Sequence, residues 1–286
     1  MARATPLPGL VPVLSGPGRE ALSEHLRRKR ELEGPKPTRD DTRLRGSQAR
    51  QCSRKIYFDA QGIAETVEIE DSTLAAFEVG NAWHEVIQFA LQEKFNADVE
   101  VAVSYKEHGL SLSGSADATY LYGFARVCVE IKSMKAYGWD LAVRGNMSFN
   151  QRGGPKLEHI AQAGVYANSP QIQADVIHMI YVNKDTGELA EWLLKWEDDL
   201  GPLGYPGLTV RQLVDEELAR LASILADAER GIVPAREIPG HGLVPDPPPA
   251  GSRGTPWNCR FCGHQPLCEG LVAEAFPLST LSEAMR

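Results

Sequence analysis

The chain has 286 residues, with 38 Asp and Glu against 30 Lys and Arg, for a formal net charge of −8. Its hydrophobic fraction of 43% and charged fraction of 24% are ordinary for a soluble globular protein and exclude a collagenous, low-complexity or wholly disordered chain. No apolar run approaches the ~18–20 residues of a membrane span. Pro6, Pro8, Pro12 and Pro17 interrupt the apolar start, so no signal peptide or membrane partner is expected and the expected compartment is the cytoplasm.

In chain order, residues 1–18 are rich in Pro and Gly and are expected to be poorly ordered. Arg19 to Glu33 is dense in charge and helix formers, which predicts a short solvated helix. Gly34-Pro35-Lys36-Pro37 ends it. Ser47 is a candidate N-cap for a helix over 48–59 that carries Cys52, and Ser72 for one over about 72–95. In the latter, Leu74, Phe77, Trp83, Val86, Ile87, Ala90 and Leu91 return at helical spacing. Strands are predicted over 98–105, 110–120 and 126–134, with a turn at Gly123. A helix over 156–167, a buried strand over 174–183 and a returning strand over 189–196 follow. A long amphipathic helix over 209–232 and a Pro/Gly-rich loop over 234–256 precede the last segment. This order predicts a mixed α/β domain around a central sheet. There is no G-x4-G-K-S/T phosphate loop, so no ATP motor is expected.

An acidic total argues against nucleic acid, but it hides an asymmetry. Arg19 to Lys55 holds 12 Lys and Arg against 6 Asp and Glu, so residues 1–55 carry +7 and the remainder −15. A basic arm precedes an acidic body. Arg43, Arg45, Arg50, Arg54 and Lys55 are its candidate phosphate contacts; the alternative is a solvated charged segment.

The most informative stretch is Gly114-Ser115-Ala116-Asp117, followed by Val127-Cys128-Val129-Glu130-Ile131-Lys132. Alternate side chains of a strand share a face. Val127, Val129 and Ile131 are expected to enter a core, with Glu130 and Lys132 together on the other face. A hairpin near Gly123 brings Asp117 toward Glu130. Two carboxylates can hold Mg2+ or Mn2+ through oxygen, which is what phosphodiester hydrolysis needs to offset phosphate charge and activate water. A neighbouring lysine can orient or deprotonate that water, or pair with phosphate. The Ile131 carbonyl is a further oxygen. Such a pattern alone also occurs on ordinary exposed strands, and His84, Gln162 and Tyr166 each have a structural reading as well.

Five cysteines without an export signal argue against a disulfide framework. Cys259, Cys262 and Cys268 form C-x2-C-x5-C, a metal-site spacing that needs a fourth ligand. The candidates are Cys52, Cys128, His264 and solvent. Cys128 reads as a small buried free thiol and His264 as a loop histidine. His108, His159, His178 and His241 have no companions at ligand spacing.

His84, Gly114-Ser115-Ala116-Asp117, Glu130-Ile131-Lys132, Gln162-x3-Tyr166 and the final cysteine set, in that order, resemble the RecB-type branch of the PD-(D/E)XK nucleases. The resemblance is to the CRISPR-associated and phage RecB-like exonucleases with an iron–sulfur cluster, and runs from Cys52 to Cys268. It implies an α/β restriction-endonuclease-like core, a central mixed β-sheet flanked by helices, with a cysteine-ligated cluster joining the N- and C-terminal segments. His84, Asp117, Glu130 and the Ile131 carbonyl would hold Mg2+ or Mn2+. Asp117, Glu130 and Lys132 would be catalytic, with Lys132 serving the attacking water, and Gln162 and Tyr166 would position DNA. Cys52 would complete a 4Fe-4S cluster with Cys259, Cys262 and Cys268, with zinc as the alternative. Ala116 stands at the classical Pro position, which varies in this superfamily.

The expected organisation is a basic, partly disordered arm over 1–46, the nuclease domain over 47–275 and a tail over 276–286. The expected function is metal-dependent exonucleolysis of single-stranded DNA or DNA ends, in phage recombination and repair or in CRISPR adaptation. A separate helicase, recombinase or integrase would be the partner. The alternatives are a zinc-stabilised PD-(D/E)XK endonuclease and a non-catalytic DNA-binding or adaptor subunit.

Overall fold

The computed structural model describes residues 17–33, 44–65, 67, 70–106, 109–145, 153–238, 242–243, 259 and 262–270. The Pro/Gly-rich start, Arg43, His108, His241 and the tail lie outside them. Two compact units are present: residues 1–37 with 69–77, and residues 38–68 with 78–286. In the first, helix α1 (Pro17–Glu33) is tied by Arg27 to Asp71 at 3.0 Å.

The second unit holds a six-stranded mixed sheet. Its strands are β1 (Leu44–Arg45), β2 (Asp98–Tyr105), β3 (Leu112–Tyr122), β4 (Ala125–Met134), β5 (Val176–Asn183) and β6 (Leu189–Lys195). The order is β1-β3-β4-β5-β6, with β2 on the other edge of β3. The β4–β5 and β1–β3 pairs are parallel and the others antiparallel. Gly123, at φ 62°, makes the β3–β4 turn that only a residue without Cβ enters cheaply. β1 was not foreseen. Leu44 is fully buried and pairs with Leu112, so the arm ends before residue 44 rather than at 46.

The remaining helices are α2 (Ser53–Ala60), α3 (Asp71–Phe95), α4 (Ala136–Arg144), α5 (Leu157–Ala167), α6 (Val210–Arg230) and α7 (Gln265–Gly270). Thr209 caps α6 by accepting the Gln212 N–H in a reciprocal capping box, and Gly231 ends it in the left-handed region. Leu213, Val214, Leu221, Ile224, Leu225 and Ala228 form its buried stripe. Helix α5 lies between α6 and the sheet. A Cβ on Gly164 would overlap the Val214 side chain, so the small residue sets how closely α5 and α6 approach. One core contains Leu112, Ala116, Cys128, Met179 and Tyr181 with α5 and α6. The other packs Ala118, Tyr120, Val127, Val129 and Ile131 against Ile87 and Leu91 of α3.

Two local expectations change. The helix predicted over 48–59 begins only at Ser53, with Cys52 as its N-cap, and Ser47 lies in a short 3-10 turn over Gly46–Gln48. Arg50, at φ 58°, breaks the right-handed path between them. Part of the predicted 234–256 loop is a small hairpin of β7 (Glu237–Ile238) and β8 (Gly242–Leu243). Helix α4 was also not foreseen. Among the described residues, no helix is long and apolar enough to cross a membrane.

Candidate functional site

The site lies where β3 and β4 part. Their ladder runs from Tyr122↔Ala125 to Ala118↔Val129 and goes no further. The next opposed residues are Asp117 and Glu130. Beyond the fork, Leu112 and Arg45's neighbour Leu44 pair instead. Asp117 Oδ2 accepts the Ile131 N–H at 2.6 Å, so a carboxylate satisfies a ladder donor that a strand would otherwise take. Its Oδ1 lies 3.4 Å from His84 Nδ1, on α3.

The neighbouring strand is interrupted at the same level. Glu100 of β2 stands opposite Asp117 but makes no ladder pair, and its φ of 50° is unusual for a residue with Cβ. Gln88, one turn after His84, holds this break together. Its Nε2 donates to the Asp117 carbonyl at 2.9 Å and to Glu100 Oε1 at 2.9 Å. Ser115 Oγ donates to Glu100 Oε2 at 2.8 Å. Sequence reasoning missed Gln88 and Glu100. The i, i+4 spacing of His84 and Gln88 on one helix face was the available signal.

Glu130 is 2% exposed. Burial, with the Asp117 charge added, pushes its carboxyl up to about 7, against the attraction of Lys132. Lys132 Nζ sits 2.5 Å from Glu130 Oε1 and donates to Gln162 Oε1 at 3.0 Å. Burial works against the Lys132 ammonium, but Glu130 and Asp117 outweigh it and raise its pKa. Burial likewise lowers His84, but its hydrogen bond and charge interaction with Asp117 raise it on balance. His84, Asp117 and Glu130 are not yet a closed ligand set: their ligand atoms do not all lie within 4.8 Å of one another. The imidazole and carboxylate donors nevertheless suit a hard divalent cation. Ile131 is fully buried, with its N–H committed to Asp117.

Gln162 and Tyr166 share a face of α5, as their spacing predicts, and the Gln162 amide lies near enough to act on the Tyr166 hydroxyl. The Tyr166 ring is 3% exposed. It fills the space that Cβ atoms on Gly46 and Gly114 would occupy. That leaves no ring face for a base to stack on, so Tyr166 supports Gln162 and β3 instead. His159, three residues before Gln162, is engaged as well: its Nδ1 lies 2.6 Å from the Tyr181 hydroxyl. His178 bridges Tyr120 and Glu191 at 3.0 and 2.7 Å. Both histidines therefore have partners that sequence spacing did not reveal.

Cys52, Cys259, Cys262 and Cys268 converge although about 200 residues separate the first from the others. Cys52 packs on Cys259. Cys259, Cys262 and Cys268 each feel the charge of Cys52, and Cys268 that of Arg54 and Arg236 as well. Burial pushes these three thiols up. Cys128 is separate, fully buried on β4, with its thiol held well above the usual range by burial.

The basic segment near this quartet is less available than its sequence suggests. Arg54 is 1% exposed, which removes it from the candidate phosphate contacts. Lys55 is shared by Asp59 at 2.9 Å and Glu65 at 3.2 Å. His264, expected as an ordinary loop residue, is 1% exposed, with Nε2 2.8 Å from Asp59 Oδ1. Asp59, Glu65 and His264 form a compact group, but the Lys55 ammonium already provides its positive charge.

No family model matches the chain, and no curated protein matches it. A crystal structure of SSO0001 is similar in fold. It superposes with a TM-score of 0.52 at 16% identity, covering 90% of this chain and 98% of that one. A likeness at this identity is one of fold: an α/β arrangement with a central mixed sheet flanked by helices.

Proposed function

We propose that this chain is a PD-(D/E)XK-type, metal-dependent deoxyribonuclease that hydrolyses phosphodiester bonds of single-stranded DNA or DNA ends. The observation that carries this reading is the β3–β4 fork, where Asp117, Glu130 and Lys132 meet beside His84 and Gln162. His84, Asp117, Glu130 and the Ile131 carbonyl would hold Mg2+ or Mn2+. The bound cation supplies charge neutralisation at the scissile phosphate and a lowered pKa for its water. The raised pKa of Glu130 is the mark of a buried carboxylate facing a second one, which a divalent cation would relieve.

Lys132 has one N–H on Glu130 and one on Gln162. An ammonium has three donors, so a third serves the attacking water or a phosphate oxygen. Gln162 fixes the direction of that donor, with Tyr166 one turn further on the same face of α5. The role of Tyr166 in positioning DNA is thus exercised through its neighbour.

The cysteine quartet is assigned to a 4Fe-4S cluster. A structural zinc site is typically built from paired C-x2-C elements, whereas here Cys52 is isolated and about 200 residues from the other three, which supports the cluster. Its place between Cys52 and the C-terminal cysteines makes it a structural clasp.

The test is digestion of 5′- and 3′-end-labelled single- and double-stranded DNA with Mg2+ or Mn2+. Wild type should degrade it, and Asp117→Asn and Lys132→Ala should lose ~100-fold or more. Equal rates in all three proteins would overturn the catalytic assignment. DNA binding without cleavage by wild type would favour the adaptor reading.

A further inference from the structure

Two arginines are buried against the cysteine quartet. Arg54, on α2, is 1% exposed, and Arg236, just before β7, is 3% exposed. Arg54 Nη1 donates to Cys268 Sγ at 3.6 Å, and its Nε donates to the Pro234 carbonyl at 3.1 Å. The positive charge of Arg236 acts on Cys259 and on Cys268. Both guanidiniums are therefore buried beside the same four cysteines.

A guanidinium stays charged at any pH a protein meets. Burying one is costly unless a full negative charge or a set of good acceptors lies beside it. A cysteine sulfur offers that charge only as a thiolate. A metal group that holds the sulfurs as thiolates would place such a charge at Cys268, where the Arg54 N–H already points.

We propose that Arg54 and Arg236 are the counter-charges and N–H···S donors of the group held by Cys52, Cys259, Cys262 and Cys268. This rests on the cluster assignment made above and extends it to two residues outside the ligand set. Four thiolates around a 4Fe-4S core of charge +2 leave a net −2, which two guanidiniums balance. One-electron reduction would raise the group to −3. Donors and positive charge at the sulfurs favour the more negative state and raise the reduction potential. Arg54 and Arg236 are thus positioning residues that set both the retention and the redox level of the cluster.

The experiment compares anaerobically purified wild type with Arg54→Lys, Arg54→Gln, Arg236→Lys and Arg236→Gln. Iron, sulfide and zinc per chain are measured, together with the visible absorption band, its bleaching rate under a chelator and a spectroelectrochemical titration with EPR. Gln variants should bleach several-fold faster and titrate at a more negative potential. Lys variants, which keep the charge but lose the planar fork, should lie between them and wild type. Wild-type bleaching and potential in all four variants would overturn the role of the arginines while leaving the cluster assignment intact. Wild type without iron, or with zinc alone, would instead overturn the cluster assignment and the redox role together. If a Gln variant fails to fold, its Lys counterpart still decides the matter through the potential.

Discussion

The Asp117 carboxylate accepts the Ile131 N–H at 2.6 Å, one step beyond the last rung that β3 and β4 share. One side chain thereby ends a ladder, holds the strands apart and presents its second oxygen to His84. The two duties can be separated by substitution. Asp117→Asn keeps an acceptor for Ile131 but removes the charge. It should lower metal-dependent cleavage ~100-fold or more at nearly unchanged stability. Asp117→Ala should lose the same activity and also ~1–3 kcal/mol of stability, because a buried N–H is left without its partner. Urea unfolding of both variants in chelator tests this; equal destabilisation would contradict the ladder-ending role.

The glycines around Tyr166 invite a second test. Gly114→Ala places a methyl where the ring lies, and neither β3 nor α5 can shift freely. Overpacking of this kind costs ~1–3 kcal/mol. In a Tyr166→Leu background the ring is gone, and the same Gly114→Ala change should cost much less. A double-mutant cycle measured by urea unfolding reads the coupling directly. Additive effects would show that the glycine serves backbone conformation rather than the ring.

Much of this geometry was legible in the sequence, for reasons that can be located. Strand alternation placed Val127, Val129 and Ile131 in one core and Glu130 with Lys132 on the other face. The turn at Gly123 put Asp117 opposite Glu130. The periodicity of α3 and the amphipathic pattern of α6 marked the two long helices. The fork itself was not legible. It depends on β1, a two-residue strand whose pairing with Leu112 is a long-range event with no local pattern. Nor did spacing reveal that Glu100 adopts a left-handed conformation opposite Asp117. The start of α2 was misplaced because Ser47 is a good capping residue, and only tertiary contacts make Arg50 turn the chain. Burial of Arg54 and His264 was likewise invisible, since charged residues are solvated by default.

His159 gives the chain an acid-sensitive point. Burial, with the positive charges of Lys132 and Lys156 added, holds its pKa well below 6.5 in the folded protein. The unfolded chain therefore binds a proton there that the folded chain does not. The stability this provides is present above about pH 6.5 and is lost as pH falls toward the folded value. Glu130 and His84, both raised, act in the opposite sense over this range, but they are common to wild type and His159→Gln. Between pH 6.5 and 5 wild type should therefore lose stability relative to His159→Gln, which has no such proton to bind, although the variant starts less stable without the bond to Tyr181. Thermal unfolding of the metal-free proteins across this range checks the sign. Parallel curves would mean that His159 does not titrate differently in the two states.

Glu217 ties α6 to the segment that delivers Cys52. It is 2% exposed and accepts two bonds from Arg220, at 2.7 and 2.9 Å, and the Arg50 N–H at 2.7 Å. Arg220 continues to Ser53 Oγ at 2.9 Å. Glu217→Ala would leave a half-buried guanidinium and a backbone donor without this carboxylate, at a cost of ~3–5 kcal/mol. Glu217→Gln keeps an acceptor for the Arg50 N–H and should cost less. Arg50→Gly should act oppositely. It retains the N–H bonded to Glu217 and relieves the left-handed φ of 58°, for a gain of ~1 kcal/mol. If the Arg50 side chain instead anchors this turn, Arg50→Gly will destabilise the protein, and chemical unfolding of the three variants distinguishes the two accounts.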